Sequence, residues 1–322
     1  MKLCVLIPAY NEEQTIVDVI NKIPKKLLGV DEIITMIVDD GSTDNTAAVA
    51  IAAGAIVVSH NYNQGVGGAF KSGLNKALEE GADILVNIDA DGQFSPQEIP
   101  LMIEPILSGD TEFVVGDRFT QNDGSINKPD KMPSIKYWGN KQMSRLISML
   151  TGQNFADVSC GFRAYSREAM LRLNLTGRFT YTQETFLDLA NKDVAITSVP
   201  IHVTYFSGRK SRVAKNIGRY FYRTINIILR AYRDYRPLRF FIGLSIFPFV
   251  IGSACGMFTL VYYLNTGKFT PYKSVGLIGI YLVSVAIILW IVGILADMFV
   301  RLRLNQEHIL YFLKKNQYNE QD

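Results

Sequence analysis

Short apolar runs alternate with segments of helical spacing along the first 120 residues of this 322-residue chain. The apolar runs occupy residues 3–7, 33–38, 55–58, 84–88 and 113–115, and the helical segments occupy residues 13–23, 45–53, 67–80 and 96–107. A strand, helix, strand order repeated four times predicts parallel βαβ units with right-handed crossovers. We therefore expect an α/β fold with a mostly parallel sheet, in which ligands bind beyond the carboxyl ends of the strands.

The regular alternation ends after residue 120. Residues 121–134 are polar and contain two prolines, which predicts a long mobile loop. Residues 137–150 have helical spacing, and residues 158–165 and 194–199 have the composition of strands. Residues 208–235 place apolar side chains on one helical face and basic side chains mostly on others. That pattern predicts one or two amphipathic helices at an anionic membrane surface.

Two later stretches are long enough to cross a membrane. Residues 240–264 contain 25 positions without a charge, and residues 274–296 contain 23. A hydrocarbon core requires about 20 residues of helix, so a transmembrane hairpin is favoured over a buried hairpin of a soluble protein. Residues 209–239 carry ten Lys and Arg against one acid, whereas the loop at 265–273 carries two lysines. The positive-inside rule then predicts a multi-pass membrane protein with both termini and the catalytic domain in the cytoplasm.

Charge and composition exclude several other classes of protein. The formal net charge of +3 gives no broad basic field, so nucleic acid is not an expected partner. The three cysteines and three histidines are scattered and match neither a disulfide framework nor zinc spacing. Gly65 and Gly67 begin a dinucleotide-binding pattern, but Phe70 occupies its third glycine position, so we reject that reading.

Three polar motifs follow predicted strands: PAYNE at 8–12, DDGS at 39–42 and DADGQ at 89–93. They are expected at one edge of the sheet, because parallel strands end at the same edge. Asp89 and Asp91 can converge on a hard cation such as Mg²⁺ or Mn²⁺, whose remaining positions substrate phosphates often fill. Taken alone, each motif could also be an ordinary turn or helix cap.

The motifs VLIPAYNEE, IVDDGSTDNT and NIDADGQ, in this order, resemble family 2 glycosyltransferases of the GT-A fold over about residues 1–205. Farther along, GDRF, LTG, DVSCGFRAY and TQETFLDLA, followed by two membrane helices, are similar to the polyprenyl-phosphate hexosyltransferases. That group includes dolichyl-phosphate mannose synthase and the bactoprenol glucosyltransferases. The QxxRW motif of processive polysaccharide synthases is absent. The resemblance therefore implies inverting transfer of a single hexose from a nucleotide sugar to a dolichyl or undecaprenyl phosphate.

The resemblance also implies a donor site and a metal site. The residues expected to contact the nucleotide sugar are Pro8, Ala9, Tyr10, Asn11, Glu12, Asp39, Asp40, Asp89, Ala90, Asp91, Gln93 and Arg118. Asp89, Asp91 and Gln93 would hold Mg²⁺ or Mn²⁺ at the diphosphate. The cation would neutralise the charge that develops on the leaving group, which gives Asp91 a catalytic role.

The acceptor side requires cations more than a strong base, because a polyprenyl phosphate is already anionic. Candidates for binding the lipid phosphate are Arg118, Arg163, Arg209, Lys210 and Arg212, of which the last three could equally serve general attraction to anionic headgroups.

Two carboxylates are candidates for the catalytic base. Asp157 matches the family's acceptor-side aspartate and would act as a base or orient Arg163. Glu184 is the alternative base.

Two other functions stay open at this point. One is transfer to a hydroxyl lipid such as diacylglycerol, which would favour Glu184 as the base. The other is a non-catalytic membrane scaffold that binds sugar nucleotides. The predicted domains are a catalytic domain at 1–208, juxtamembrane helices at 209–238, two transmembrane helices within 239–300 (about 240–264 and 274–298) and a cytoplasmic tail at 301–322. A homo-oligomer is compatible with this organisation.

Overall fold

The computed structural model describes residues 1–121, 123–175, 181–205, 229–230 and 232–319. Its strands are β1 Lys2–Ala9, β2 Glu32–Asp39, β3 Ile56–Ser59, β4 Ile84–Asn87, β5 Phe113–Asp117, β6 Arg163–Ser166 and β7 Ile196–Pro200. Its helices are α1 Ile16–Asn21, α2 Thr46–Ala52, α3 Val66–Glu79, α4 Ile99–Leu107, α5 Ser134–Thr151, α6 Arg167–Arg172, α7 Tyr181–Ala190, α8 Pro237–Thr266 and α9 Lys273–Asn319. The five strands predicted within the first 120 residues are all present.

The seven strands form one sheet in the order β3-β2-β1-β4-β6-β5-β7. Strand β1 pairs in parallel with β2 and β4, β2 pairs in parallel with β3, and β5 pairs in parallel with β7. Strand β6 is antiparallel to both of its neighbours, β4 and β5. The prediction of a mostly parallel α/β sheet is confirmed. The carboxyl ends of β1, β2, β4 and β5 consequently share one edge.

Strands at the centre of the sheet are buried on both faces. Residues 3–7 of β1 and all four residues of β4 are buried, as their continuous apolar runs predict for parallel strands covered by helices. Helix α3 lies very close to β1, because a Cβ atom built on Gly73 would come within 2.3 Å of the Leu6 side chain. This packing fixes the central strands whose ends hold the polar motifs.

A second compact unit contains residues 216–306. Within it, α8 and the apolar part of α9 are long and apolar enough to cross a membrane. The two helices approach closely at small residues, since a Cβ atom on Gly252 would lie 2.8 Å from the carbonyl oxygen of Gly279. Trp290 Nε1 also donates a hydrogen bond of 2.6 Å to Ser245 Oγ. The predicted amphipathic segment 208–235 lies mostly outside the described residues.

Helix α9 continues to Asn319, past residue 301, where the sequence predicts a separate tail. Its last part belongs to the same compact unit as the sheet. Lys314 Nζ donates hydrogen bonds of 2.9 Å to the carbonyl oxygen of Leu173 and to Asn174 Oδ1. Lys192 Nζ lies 3.0 Å from Glu307 Oε2. The end of the chain is therefore a packed helical segment beside α6 and α7.

Candidate active site

The first two polar motifs meet where β1 and β2 end. Pro8 and Ala9 close β1, and Ala9 pairs in register with Asp39 at the end of β2. The loop after β1 crosses to the loop after β2, because Asn11 N donates to Ser42 Oγ at 2.9 Å and Asn11 Oδ1 accepts from Thr43 N at 2.8 Å. Asn11 adopts a positive φ of 54°, which an asparagine tolerates in a tight loop. Tyr10 and Glu12 flank it on the same loop.

Thr15 joins this loop to the third motif. Its hydroxyl donates a hydrogen bond of 3.0 Å to the carbonyl oxygen of Ala90. Ala90 is buried between Asp89 and Asp91, so the contact fixes the turn that presents the two carboxylates. All three motifs are thus held at one edge of the sheet, as predicted. Thr15 itself was not predicted, because nothing in its spacing links it to residue 90.

Asp40 is only 4% exposed and holds a neighbouring loop. Its Oδ1 accepts from Gln64 N at 2.8 Å and lies 2.8 Å from His60 Nδ1, while Oδ2 accepts from Gly65 N at 2.8 Å. On the other side of the ring, His60 Nε2 lies 2.9 Å from Ser72 Oγ. Asp40 therefore fixes residues 60–65 and the start of α3. Asp39 stabilises the turn that follows β2, because its Oδ1 accepts a hydrogen bond of 3.1 Å from Ser42 N.

Asp89 and Asp91 occupy the turn after β4. The Asp89 carboxylate lies against the backbone of Gly161, where an added Cβ atom would come within 2.7 Å of Asp89 Oδ2. Burial and then the charge of Asp91 raise the pKa of Asp89 to about 6, although Arg118, Arg163 and Lys136 act in the opposite direction. Two like charges on one turn favour a cation.

Gln93 orients the Asp91 carboxylate. The Gln93 backbone N–H donates to Asp91 Oδ1 at 3.0 Å, and its side-chain Nε2 donates to Asp91 Oδ2 at 2.7 Å. The nitrogen end of the Gln93 amide is thus committed to Asp91, and only its oxygen could contact a metal.

The donor set suits a hard divalent cation that also binds a substrate phosphate. Within the described ranges, no group of three or more His, Cys, Asp or Glu residues could hold a metal alone. Mg²⁺ is usually held by one or two carboxylates together with substrate phosphates, and Mn²⁺ has a similar ligand preference. Asp89 and Asp91 fit that arrangement, whereas a closed structural site would need more protein ligands.

Arg118 and Asp157 form a buried ion pair next to this turn. Arg118 is 8% exposed and Asp157 is fully buried. The Arg118 side chain donates from Nε to Asp157 Oδ2 at 2.6 Å and from Nη2 to Asp157 Oδ1 at 3.0 Å. Ser159 N also donates to Asp157 Oδ1 at 3.0 Å. Burial alone would raise the pKa of Asp157, but the Arg118 charge and these hydrogen bonds hold it below its usual value.

Arg163 has a different environment from the one that the sequence suggests. It is fully buried, and it donates to the carbonyl oxygens of Cys160 at 2.8 Å and Val158 at 3.1 Å. Its guanidinium also lies 5.1 Å from the centre of the Phe186 ring. The described partner of Asp157 is Arg118, which corrects the interpretation that Asp157 orients Arg163. Arg163 supports the loop beneath the site and is not placed as an exposed phosphate ligand.

Sequence reasoning missed Lys136 and Tyr205. Lys136, in the first turn of α5, is half-buried, and its Nζ lies 5.7 Å from the centre of the Tyr205 ring. Burial and then Arg118 lower the pKa of Lys136, while Asp91, Asp157 and Asp89 oppose that shift. These charges surround it because α5 begins at the same edge of the sheet. No spacing pattern in the sequence predicts that these charged residues lie close to Lys136.

Tyr205 reaches the site through the chain that follows β7. Thr204 N donates to the carbonyl oxygen of Gln93 at 2.9 Å, which ties this segment to the carboxylate turn. The Tyr205 hydroxyl is buried and has no hydrogen-bond partner in the described part of the chain. Burial raises the pKa of Tyr205, and the charge of Arg118 opposes that effect. A cavity of about 350 Å³ adjoins Arg118 and is lined by residues of the 120–130 loop and by residues 200–203.

Glu184 lies on α7 and is half-exposed. The first residue of this helix, Tyr181, has its hydroxyl 3.5 Å from Asn87 Nδ2 at the end of β4. Helix α7 thus begins near the site, and Glu184 follows within its first turn.

The remaining predicted lipid-phosphate ligands lie outside the described residues; these are Arg209, Lys210 and Arg212.

Comparisons with known proteins identify the family of this chain. The family model described as "Glycosyl transferase family 2" matches residues 4–173. The UDP-N-acetylglucosamine–dolichyl-phosphate N-acetylglucosaminyltransferase of Methanococcus voltae is 36% identical over 220 residues, covering 62% of this chain and 84% of the relative. The undecaprenyl-phosphate mannosyltransferase of Micrococcus luteus is 29% identical, covering 54% of this chain and 70% of the relative.

A solved structure has a similar fold. Glucosyl-3-phosphoglycerate synthase from Mycobacterium tuberculosis, crystallised with Mn²⁺, UDP-glucose and phosphoglyceric acid, superposes with a TM-score of 0.54 at 25% identity. The match covers 71% of this chain and 79% of that one. It supports a GT-A-like fold for the sheet domain, with two further apolar helices in this chain.

Proposed function

Because this chain belongs to glycosyl transferase family 2, we propose that it transfers a single hexose from a nucleotide sugar to a membrane polyprenyl phosphate. The observation that supports this most directly is the pairing of opposite charges at one edge of the sheet. The carboxylates Asp89 and Asp91 lie on one turn, and Arg118 and Lys136 lie close enough for their charges to affect Asp89. Such a site can hold a metal-bound diphosphate beside a second phosphate.

On the donor side, Asp89 and Asp91 would hold Mg²⁺ or Mn²⁺. The cation, when bound, neutralises the charge that develops on the leaving diphosphate. Gln93 keeps the Asp91 carboxylate in one orientation through its two hydrogen bonds. The loops after β1 and β2, with Tyr10, Asn11, Glu12 and the Asp40-held segment, would bind the nucleotide base and ribose.

On the acceptor side, Arg118 and Lys136 would bind the lipid phosphate. A phosphate oxygen then forms the bond to the anomeric carbon while the bond from that carbon to the diphosphate oxygen breaks. Attack opposite to the leaving group inverts the configuration at this carbon. The acceptor is already an anion, so the reaction needs no strong base; it needs cations that hold one anion beside another.

Asp157 would then serve as a positioning residue. Both of its carboxylate oxygens are engaged by Arg118, and its pKa lies below the usual value, so it is poorly suited to accept a proton near neutral pH. Asp157 holds the Arg118 guanidinium through Nε and Nη2, and Nη1 of Arg118 lies outside the ion pair. This role differs from the base that the family resemblance suggests for Asp157.

The lipid acceptor is consistent with the two candidate membrane spans and with relatives that carry polyprenyl-phosphate names. The positive-inside rule predicts the orientation in the membrane, with both termini and the site in the cytoplasm. The basic residues at 209–212 would capture the phosphate or anionic headgroups at the membrane surface.

A hydroxyl lipid such as diacylglycerol is the second candidate acceptor. It would require a true base, and Glu184 is the carboxylate whose helix begins beside β4. A non-catalytic scaffold is disfavoured, because the family match and the relatives named as glycosyltransferases support an enzyme.

The test offers purified protein a panel of UDP- and GDP-sugars together with polyprenyl phosphate and Mn²⁺, and detects the glycolipid by mass spectrometry. We expect one donor to give polyprenyl-phosphate hexose. Asp91→Asn should give none, and Asp110→Asn, on an exposed loop, should behave like the wild type. Failure of every donor would contradict the proposal.

A further inference from the structure

Helix α5 has an exposed apolar stripe on the side opposite its buried face. The buried side contains residues 139, 140, 143, 144, 147 and 150. Ile135, Trp138 and Met149 are 53%, 57% and 67% exposed. With Gln142 and Arg145 between them, they are spaced by three and four residues and therefore follow one side of the helix. We call residues 135, 138, 142, 145 and 149 the outer stripe of α5.

The outer stripe lies in a strongly basic part of the chain. Residues 128–145 contain five lysines and arginines and a single acid, Asp130. Lys128, Lys131 and Arg145 are exposed. Exposed apolar side chains, a tryptophan and basic residues together are typical of a surface that lies in a membrane interface. Basic residues near an anionic leaflet are attracted to its surface potential.

The start of the stripe also adjoins the proposed site. Lys136 stands between Ile135 and the Tyr137–Trp138 pair, and it faces inward toward Tyr205 and the carboxylates. One helical turn therefore presents a cation to the site and two apolar side chains to the outside.

We propose that the outer stripe of α5 docks on the interface of an anionic bilayer, with Ile135 and Trp138 at the boundary between headgroups and acyl chains. A second copy of the chain suits this surface less well. In a two-fold contact the same patch faces itself, so the basic residues would face one another. Docking of this stripe on a membrane does not depend on which reaction the site catalyses.

The chain offers a direct probe, because Trp138 and Trp290 are its only tryptophans. Trp290→Phe leaves Trp138 as the sole fluorophore in the full-length protein. The matched control is Leu28→Trp in a chain that also carries Trp138→Phe and Trp290→Phe. Leu28 is 97% exposed and lies just before β2, at the amino-terminal edge of the sheet.

Both proteins are reconstituted into vesicles of phosphatidylcholine and phosphatidylglycerol, and quenching is measured with brominated lipids and with aqueous iodide. We expect Trp138 to be quenched by the brominated lipids and to be several-fold less sensitive to iodide than the tryptophan at position 28. Changing Lys128, Lys131 and Arg145 to Gln together should reduce the lipid quenching.

Two results would overturn the inference. Trp138 could be quenched by iodide as strongly as the control and remain insensitive to brominated lipid, which means that the stripe faces water. It could also be shielded from both quenchers, which means that protein covers the stripe.

Discussion

Arg118 and Asp157 form a bidentate ion pair beside the candidate metal site, with Nε–Oδ2 and Nη2–Oδ1 distances of 2.6 and 3.0 Å. The pair joins the end of β5 to the loop before β6. It fixes the guanidinium that we assign to the acceptor phosphate, and on this basis we propose that Asp157 positions Arg118 and does not transfer a proton.

Replacing Asp157 by Asn should reduce both stability and activity. Removing one partner of a buried pair leaves the other charge uncompensated and typically costs about 3–5 kcal/mol. We expect a lower melting temperature in detergent and a raised KM for polyprenyl phosphate, with nucleotide affinity nearly unchanged. Asp110→Asn is the control, since its carboxylate is exposed. A stable, fully active Asp157→Asn variant would contradict this role of the pair.

The pH profile separates positioning from base catalysis. The pKa of Asp157 is depressed in the folded chain, so it stays ionised from neutral pH down to acid, and any stability it contributes is lost only as the pH falls through that low pKa. The residual activity of Asp157→Asn should therefore keep the wild-type profile between about pH 6 and 9. Loss of the acidic limb in the variant would assign the proton transfer to Asp157 after all.

Metal binding should weaken in mild acid. Burial and the neighbouring charge of Asp91 raise the pKa of Asp89 to about 6, so a proton competes with the cation below that pH. We expect the Mn²⁺ affinity, measured calorimetrically with a nucleoside diphosphate present, to fall by up to about tenfold per pH unit below 6. Asp89→Asn should bind weakly and lose this dependence. Equal affinity at pH 5 and pH 7 would contradict the raised pKa of Asp89, and unchanged Mn²⁺ affinity in Asp89→Asn would exclude Asp89 as a ligand.

The hydroxyl of Tyr205 should contribute to acceptor binding. It is buried without a described partner beside Lys136, and a bound phosphate would supply an acceptor for its proton. A hydrogen bond to a charged group is worth about 1.5–3 kcal/mol, so Tyr205→Phe should raise the acceptor KM by roughly 10- to 150-fold. Tyr165→Phe is the matched control, because its hydroxyl is also buried and unpartnered in the described chain but lies in the aromatic core. Equal effects of the two variants would remove Tyr205 from the site.

The end of α9 should stabilise the catalytic unit. Lys314 donates two hydrogen bonds to residues 173 and 174, just before the segment that leads to α7. Lys314→Met should leave these acceptors unpaired and lower the free energy of unfolding by about 1–3 kcal/mol. Lys315→Met should have a much smaller effect, because within the described part of the chain the Lys315 amine contacts the side chain of Tyr311 alone. Denaturant unfolding of both variants in detergent provides the measurement.

The hydrophobic pattern predicted the sheet and the meeting of three motifs, because parallel strands with helical crossovers must end at one edge. It could not predict that β6 runs antiparallel, because the hydrophobic pattern of a strand is the same whether the strand pairs in parallel or antiparallel. It also missed Lys136 and Tyr205, whose roles come from long-range packing of α5 and of the chain after β7. The Asp157–Arg118 pair spans 39 residues, and nothing in either local motif selects that partner.

The continuation of α9 into a packed segment was missed for a related reason. Residues 301–319 are polar enough to resemble a solvated tail. Their contacts, such as Tyr311 Oη to Glu168 Oε2 at 3.1 Å, depend on a surface formed by elements more than 100 residues earlier.

The central claim is that the acceptor is a lipid phosphate, and a comparison of acceptors tests it most directly. Purified protein is supplied with its preferred nucleotide sugar and Mn²⁺. Three acceptors are then tested in separate reactions with the same detergent: polyprenyl phosphate, the corresponding polyprenol, and diacylglycerol. We predict that only polyprenyl phosphate yields a glycosylated product and that excess EDTA stops this transfer reversibly. Transfer to polyprenol or diacylglycerol at a comparable rate, or turnover that persists in EDTA, would contradict the account.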